Sequence, residues 1–294
     1  MARVDRAKSF WKTVKSASVR EIAREAGRPV RLAIVGPEER RADVLFELRG
    51  DSEEEIQEFE YTSEEAGFPR DPRAFDFVID SGGGRIDAPD GTPIFGLEEL
   101  GGWDRLVERL MDERPDLALS LGRKFAGLRD EASRRVIQEI ATANAEFAML
   151  SALPGVIPII GPLLPVSAIG DIVMLTKNQA MMMYRLAALY RLQLDTSSRR
   201  RDLAPLLANA FGWRALAREL VGAVPGGVGL VARGTIAYSG TVALGRGIQR
   251  LYSTGDKPTR ALLASFYKEA SSSAKEIVGG IARRITAKRP KRLR

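Results

Sequence analysis

The 294 residues contain neither cysteine nor histidine. Without thiols the chain has no disulfide and no thiolate nucleophile. Without imidazole it has no general base titrating near neutral pH, and nearly every zinc, haem or iron–sulfur ligand set is out of reach. Aromatic residues are scarce at 7 %, which leaves little material for stacking on single-stranded bases, so nucleic acid is not the expected partner. Residues 1–26 also lack the compact apolar core and small-residue cleavage site of a secretory signal, and a cytoplasmic amino terminus is expected. No catalytic residue and no metal ligand set emerge from this composition.

What the chain has in surplus is positive charge. A net +7 and a pI near 9.8 call for a polyanionic partner, and an anionic lipid leaflet fits. The length suits two domains. Residues 1–27 read as basic amphipathic helices, with Phe10, Trp11 and Val14 on one face and Lys8, Lys12 and Lys15 around it. Residues 28–126 read as a small α/β domain. VRLAIVG at 30–36 and FDFVID at 75–80 are short apolar runs of the kind that form buried parallel strands, and PDLALSLG at 115–122 is a candidate third strand. Between the first two runs lies an acidic segment with eight carboxylates from Asp51 to Glu65 and no basic residue, expected as a solvated loop or edge strand. Helices are expected at 103–113 and 127–150, the latter with Val136, Ile140 and Ala143 on one stripe.

The first strand ends in glycine and the second in Asp80-Ser81-Gly82-Gly83. This arrangement resembles an Era-type GTPase domain, whose phosphate loop and D-x-x-G switch occupy those places. A working phosphate loop needs G-x-x-x-x-G-K-[ST], so that backbone amides cradle the phosphates, the lysine neutralises them and the hydroxyl holds magnesium. Here the run is Gly36-Pro37-Glu38-Glu39-Arg40-Arg41-Ala42-Asp43. Arg41 stands in the place of the second glycine, Ala42 in that of the lysine and Asp43 in that of the hydroxyl, while Glu38 and Glu39 oppose an anion and Arg40 and Arg41 offset them in part. No N-K-x-D motif for reading guanine follows. Gly36, Asp80 and Gly83 are therefore the candidate cofactor-binding residues, read as vestiges, and GTP with magnesium is not an expected cofactor.

The second half is dominated by two apolar blocks. Phe147–Gly170 has no charged side chain in 24 positions but carries prolines at 154, 158, 162 and 165. An unbroken helix of that length would span roughly 36 Å. Each interior proline costs a helix about 3 kcal/mol, so a hairpin turn between shorter helices is expected. Asp171, Lys177 and Gln179 limit how deep the following helix can sit in a bilayer, and Met174, Met181, Met182 and Met183 fill its apolar positions. The second block, 220–245, has Arg233 as its only charge and glycines that permit close helix contact, among them the pair Gly222 and Gly226.

This half resembles the GTPase-associated helical domain of unknown function that follows Era-type GTPase domains in bacterial and plastid proteins. The likeness covers about 135–252 and rests on Ala143-Asn144-Ala145, the proline-rich turn reaching Pro165, Asp171, Gln179 with Met182, and the glycine-rich block through Pro225 and Gly245. It implies a membrane protein with an attached GTPase domain and no recognised catalytic residue.

The tail from Arg246 carries 13 basic and 3 acidic residues. With Arg199, Arg200 and Arg201 between the blocks, the positive-inside tendency keeps every flank cytoplasmic. The expected fold class is α/β plus all-α: a small degenerate GTPase-like α/β domain (28–126), an apolar helical hairpin bundle associated with a membrane (127–252), and a basic helical or disordered tail (253–294). The expected function is a non-enzymatic adaptor or scaffold at the cytoplasmic membrane, with anionic lipid and a protein partner or a second copy of itself. A GTPase-like switch, and a helical protein that inserts its hairpin on demand, are the alternatives.

Overall fold

Leu32, Ala33, Ile34 and Val35 are all buried, as a run without polar alternation should be when both faces of a parallel strand are covered. They form β1 (Leu32–Val35), which pairs in parallel with β2 (Phe77–Asp80) in the register Leu32 to Phe77 and Val35 to Asp80. β2 pairs in parallel with β3 (Ile94–Gly96), giving a three-stranded sheet of order β1-β2-β3. The structure is a computed structural model, and it describes residues 19–50, 75–82, 93–151, 166–194 and 228–287. The expected amphipathic helices before residue 19, the acidic segment 51–65, Gly83, the prolines at 154–165, the arginines at 199–201, the Gly222–Gly226 pair and the last seven residues lie outside the described residues.

Two compact units divide the chain, one built on residues 20–134 with 188–192, the other on 135–187 with the residues from 193 onward. The described residues are mostly helical, with the small parallel sheet confined to the first unit. There, α1 (Val19–Ala26) precedes β1, α2 (Glu38–Arg49) follows it, and β3 runs directly into the short α3 (Leu97–Leu100). Gly101 and Gly102, at φ 79° and 120°, turn the chain into α4 (Trp103–Glu113). Its buried Leu106, Val107, Leu110 and Met111 show the helical spacing that the sequence predicts for 103–113.

The candidate third strand at 115–122 is instead helical. Pro115–Leu117 is a 3₁₀ turn and α5 (Ala118–Lys124) follows, burying Leu119, Ser120, Leu121 and Gly122. A short apolar run fits a buried strand or a buried helix equally by periodicity. Here leucine and alanine, without a β-branched residue, favour the helix, and Pro115 sits where a first turn tolerates it. The third strand is β3, whose three residues were too short to stand out.

In the second unit, α6 (Arg129–Leu150, which begins in the first unit), α7 (Val166–Leu189), α8 (Val228–Thr254) and α9 (Arg260–Ala287) form the architecture. Ala141, Ala145 and Met149 of α6 pack with Tyr238 of α8 and with Ala274, Val278 and Ile281 of α9 in one core. Ala143, expected on the packed stripe, is exposed, and Asn144 beside it is buried. α8 and α9 form a hairpin. Gly255, at φ 77°, closes α8 by donating its amide to Leu251 O at 3.0 Å, and Thr259 opens α9 by accepting the Leu262 amide on Oγ1 at 3.2 Å. α9 thus shares the core of this unit rather than standing apart as a tail. Among the described residues, no helix is long and apolar enough to cross a membrane.

Candidate functional site

The carboxyl ends of parallel strands are where open α/β sheets take ligands, and two of the three candidate residues lie there. Gly36 follows β1 at φ 135°, and a β-carbon on it would lie 2.2 Å from Ser81 Oγ. Only glycine admits that conformation and that approach together. Ser81, just past β2, donates both its amide and its hydroxyl to Val35 O, each at 2.9 Å, so the loop after β2 is tied to the end of β1. Asp80 Oδ1 accepts the Gly82 amide at 3.0 Å, an Asx turn just past β2. The structure therefore brings Gly36 and Asp80 to the same end of adjacent strands.

The residues in the positions of a phosphate loop do other work. Arg41 is buried at 7 % exposure, with Val44 and Leu48 on the inward side of α2. Ala42 and Asp43 are exposed, as are Glu38 and Glu39 in the first turn. Pro37 precedes the helix, removing one backbone amide from the turn where an anion would be held. Arg40, exposed in the first turn of α2, forms an ion pair through Nη1 with Glu98 Oε1 of α3.

That pair was not legible in the sequence. The two residues are 58 positions apart, and no motif links Arg40 to Glu98. Comparison with known proteins gives no match. No family model, no curated protein and no solved structure matches the chain.

At the opposite end of the same sheet is a second charged cluster. The Arg31 amide, just before β1, donates to Asp76 Oδ2 at 2.9 Å, just before β2. Arg114 bridges Asp76 at 3.4 Å and Asp116 at 2.9 Å, and Arg28 reaches Asp116 at 2.6 Å. The hydrogen bond from Arg114, joined by that from Arg28, holds the Asp116 carboxyl down at about 2. With every member paired to another, this cluster anchors the strand entrances rather than offering free charge.

The helical unit holds a buried amide relay. Asn144 on α6 donates Nδ2 to Thr241 Oγ1 on α8 at 3.0 Å and its Oδ1 accepts from Asn178 Nδ2 of α7 at 2.8 Å, and the Thr241 hydroxyl donates to Ala237 O at 2.7 Å. Asn144 and Thr241 are 1 % and 3 % exposed. The signal that could have found this relay is a lone asparagine at helical spacing from Ile140 and Ala141. Of the residues expected to limit bilayer depth, Lys177 is exposed and Gln179 is buried. No group of three or more potential metal-ligating side chains occurs among the described residues.

Proposed function

We propose that the chain is a non-enzymatic, membrane-associated adaptor or scaffold whose α/β unit keeps the strand frame of an Era-type GTPase domain without its phosphate chemistry. The observation that carries this reading is the strand-end site. Arg40 is committed to Glu98, Arg41 is turned inward, and Ala42 and Asp43 stand where a lysine and a hydroxyl would act. A triphosphate there would meet Glu38, Glu39 and Glu98, while Arg40 is already paired with Glu98. Association with a membrane is supported by the two charge-poor blocks, their basic flanks and the basic surface of α9, where Lys268, Lys275, Arg283 and Arg284 are exposed. Parts of both blocks pair within protein: Gly234 of α8 lies against Met149 and Val278, and Gly245 against Ile137.

Titration of the full chain with GTP, GDP and ATP in the presence of magnesium is expected to give no binding heat at micromolar concentrations. Magnesium-dependent binding would replace this reading with a nucleotide switch. In cells, the protein is expected in the membrane fraction, and its recovery in a carbonate-washed supernatant without detergent would remove constitutive membrane attachment.

The packing at Gly234 and Gly245 and the buried Asn144 relay favour a second reading, in which the bundle stays folded and inserts its hairpin only on demand. Native protein that inserts into anionic vesicles only after a trigger such as acidification would select it.

A further inference from the structure

The space above Gly82 is filled from within the chain. Gly82 has φ 121°, and a β-carbon on it would lie 3.0 Å from Arg40 Nη1 and 3.3 Å from Glu98 Oε1. The ion pair therefore rests directly on the backbone of the loop after β2. Three segments meet at this point. Arg40 belongs to the first turn after β1, Gly82 to the loop after β2, and Glu98 to the first turn after β3. Each is the first piece of chain beyond the carboxyl end of a parallel strand. In α/β units that take phosphate at this end, an oxyanion and its cation hold such loops together, because the anion can accept from several of them at once.

We propose that Glu98 is the resident anion of this position: its carboxylate, held by Arg40 over Gly82, ties the loops after β1, β2 and β3 into one arrangement with no phosphate bound. The inference rests on reading the α/β unit as nucleotide-free, and goes beyond it by naming what replaces the nucleotide.

The neighbouring groups support the assignment, since each already has a partner. Ser81 already ties the start of the loop after β2 to Val35 O, and Asp80 is spent on the Gly82 amide; among the described residues, Arg40 and Glu98 add the link to the segment after β3. The side chains of Arg40 and Glu98 are 51 % and 64 % exposed. Water and salt compete with such a pair, so its effect is modest and confined to the loops it joins.

Hydrogen exchange on the whole 294-residue chain tests this, read on peptides covering 78–82 and 94–100. Glu98→Ala and Arg40→Ala are each expected to speed exchange there about two- to fivefold, with the α6, α8 and α9 core unchanged. The charge-exchanged pair Arg40→Glu with Glu98→Arg should return part of the protection, which a merely structural loss would not. Inorganic pyrophosphate should slow exchange again in Glu98→Ala, where Arg40 is released, and leave the unaltered protein unaffected. Unchanged exchange in both single variants would overturn the proposal, as would an exchanged pair no better protected than they are. Indifference of Glu98→Ala to pyrophosphate would overturn the anionic character of the position. Nucleotide binding by the unaltered chain would defeat the nucleotide-free reading in a separate calorimetric measurement, so the two failures are distinguishable.

Discussion

At Gly127 a β-carbon would lie 1.8 Å from the Glu47 carbonyl oxygen, and both atoms involved are anchored in backbone. Gly50, at φ 55°, closes α2 beside it, with its own β-carbon position 2.9 Å from the Gly127 amide nitrogen. No rotamer change relieves such a contact. Gly127→Ala should therefore cost about 1–3 kcal/mol of stability, read as a lower denaturant midpoint. Asp116 makes a different residue-level prediction. Its folded pKa of about 2 lies below the ordinary 3.8 of such a carboxyl, so its contribution is fully present above about pH 4 and is lost as pH falls toward 2. With its side chain 45 % exposed, solvent screening keeps that contribution small. Asp116→Asn should flatten the acid limb of a stability–pH curve between pH 4 and 2, and leave its slope above pH 5 unchanged.

Among the elements, the bundle is joined by close glycine contacts, an amide relay and one aromatic clasp. Arg246 of α8 lies 4.4 Å from the centre of the Phe266 ring and pairs with Glu269 at 2.6 Å, fixing α8 beside α9. Asn144 connects α6 to both α7 and α8. Asn144→Ala leaves the Thr241 hydroxyl and the Asn178 amide each short of a partner, so a loss of about 1–3 kcal/mol is expected in chemical denaturation. A double-mutant cycle with Thr241→Val should give a coupling of at least about 0.5 kcal/mol. Additive effects would mean that the relay is not a unit. Reciprocal arginine caps act similarly in the α/β unit. Arg123 donates to Ala188 O in the last turn of α7 at 2.7 Å, while Arg191, at φ 53°, donates to the carbonyls of Arg123 and Lys124 at the end of α5.

For the molecule as a whole, the proposed attachment to a membrane predicts binding to vesicles containing phosphatidylglycerol but not to pure phosphatidylcholine. Neutralising Lys268, Lys275, Arg283 and Arg284 to glutamine should weaken it severalfold. So should about 1 M salt, where the screening length falls to about 3 Å. If the bundle rides on the surface, exchange protection in the core around Val278 and Ile281 should survive binding; its loss would indicate insertion. Flotation and hydrogen exchange on the same samples check both outcomes.

Much of the frame was legible in the chain. β1 and β2 fall inside the two apolar runs read as strands, and α4 has the limits expected for 103–113, because continuous burial and helical spacing are local properties of sequence. The departure of Gly36–Asp43 from the phosphate-loop pattern was equally plain, since the lack of a lysine and a hydroxyl at those places needs no coordinates. Local pattern failed at 115–122, where a buried helix and a buried strand look alike, and at β3, which is only three residues long.

By itself the sequence determined the charge surplus, the missing thiols and imidazoles, the mixed helical and parallel-strand architecture and the absence of a standard nucleotide-binding motif. Only the tertiary structure decided which polar groups meet. Arg40 finds Glu98 across 58 positions and Asn144 finds Thr241 across 97, because strand order and helix packing set those distances, and no local periodicity encodes them.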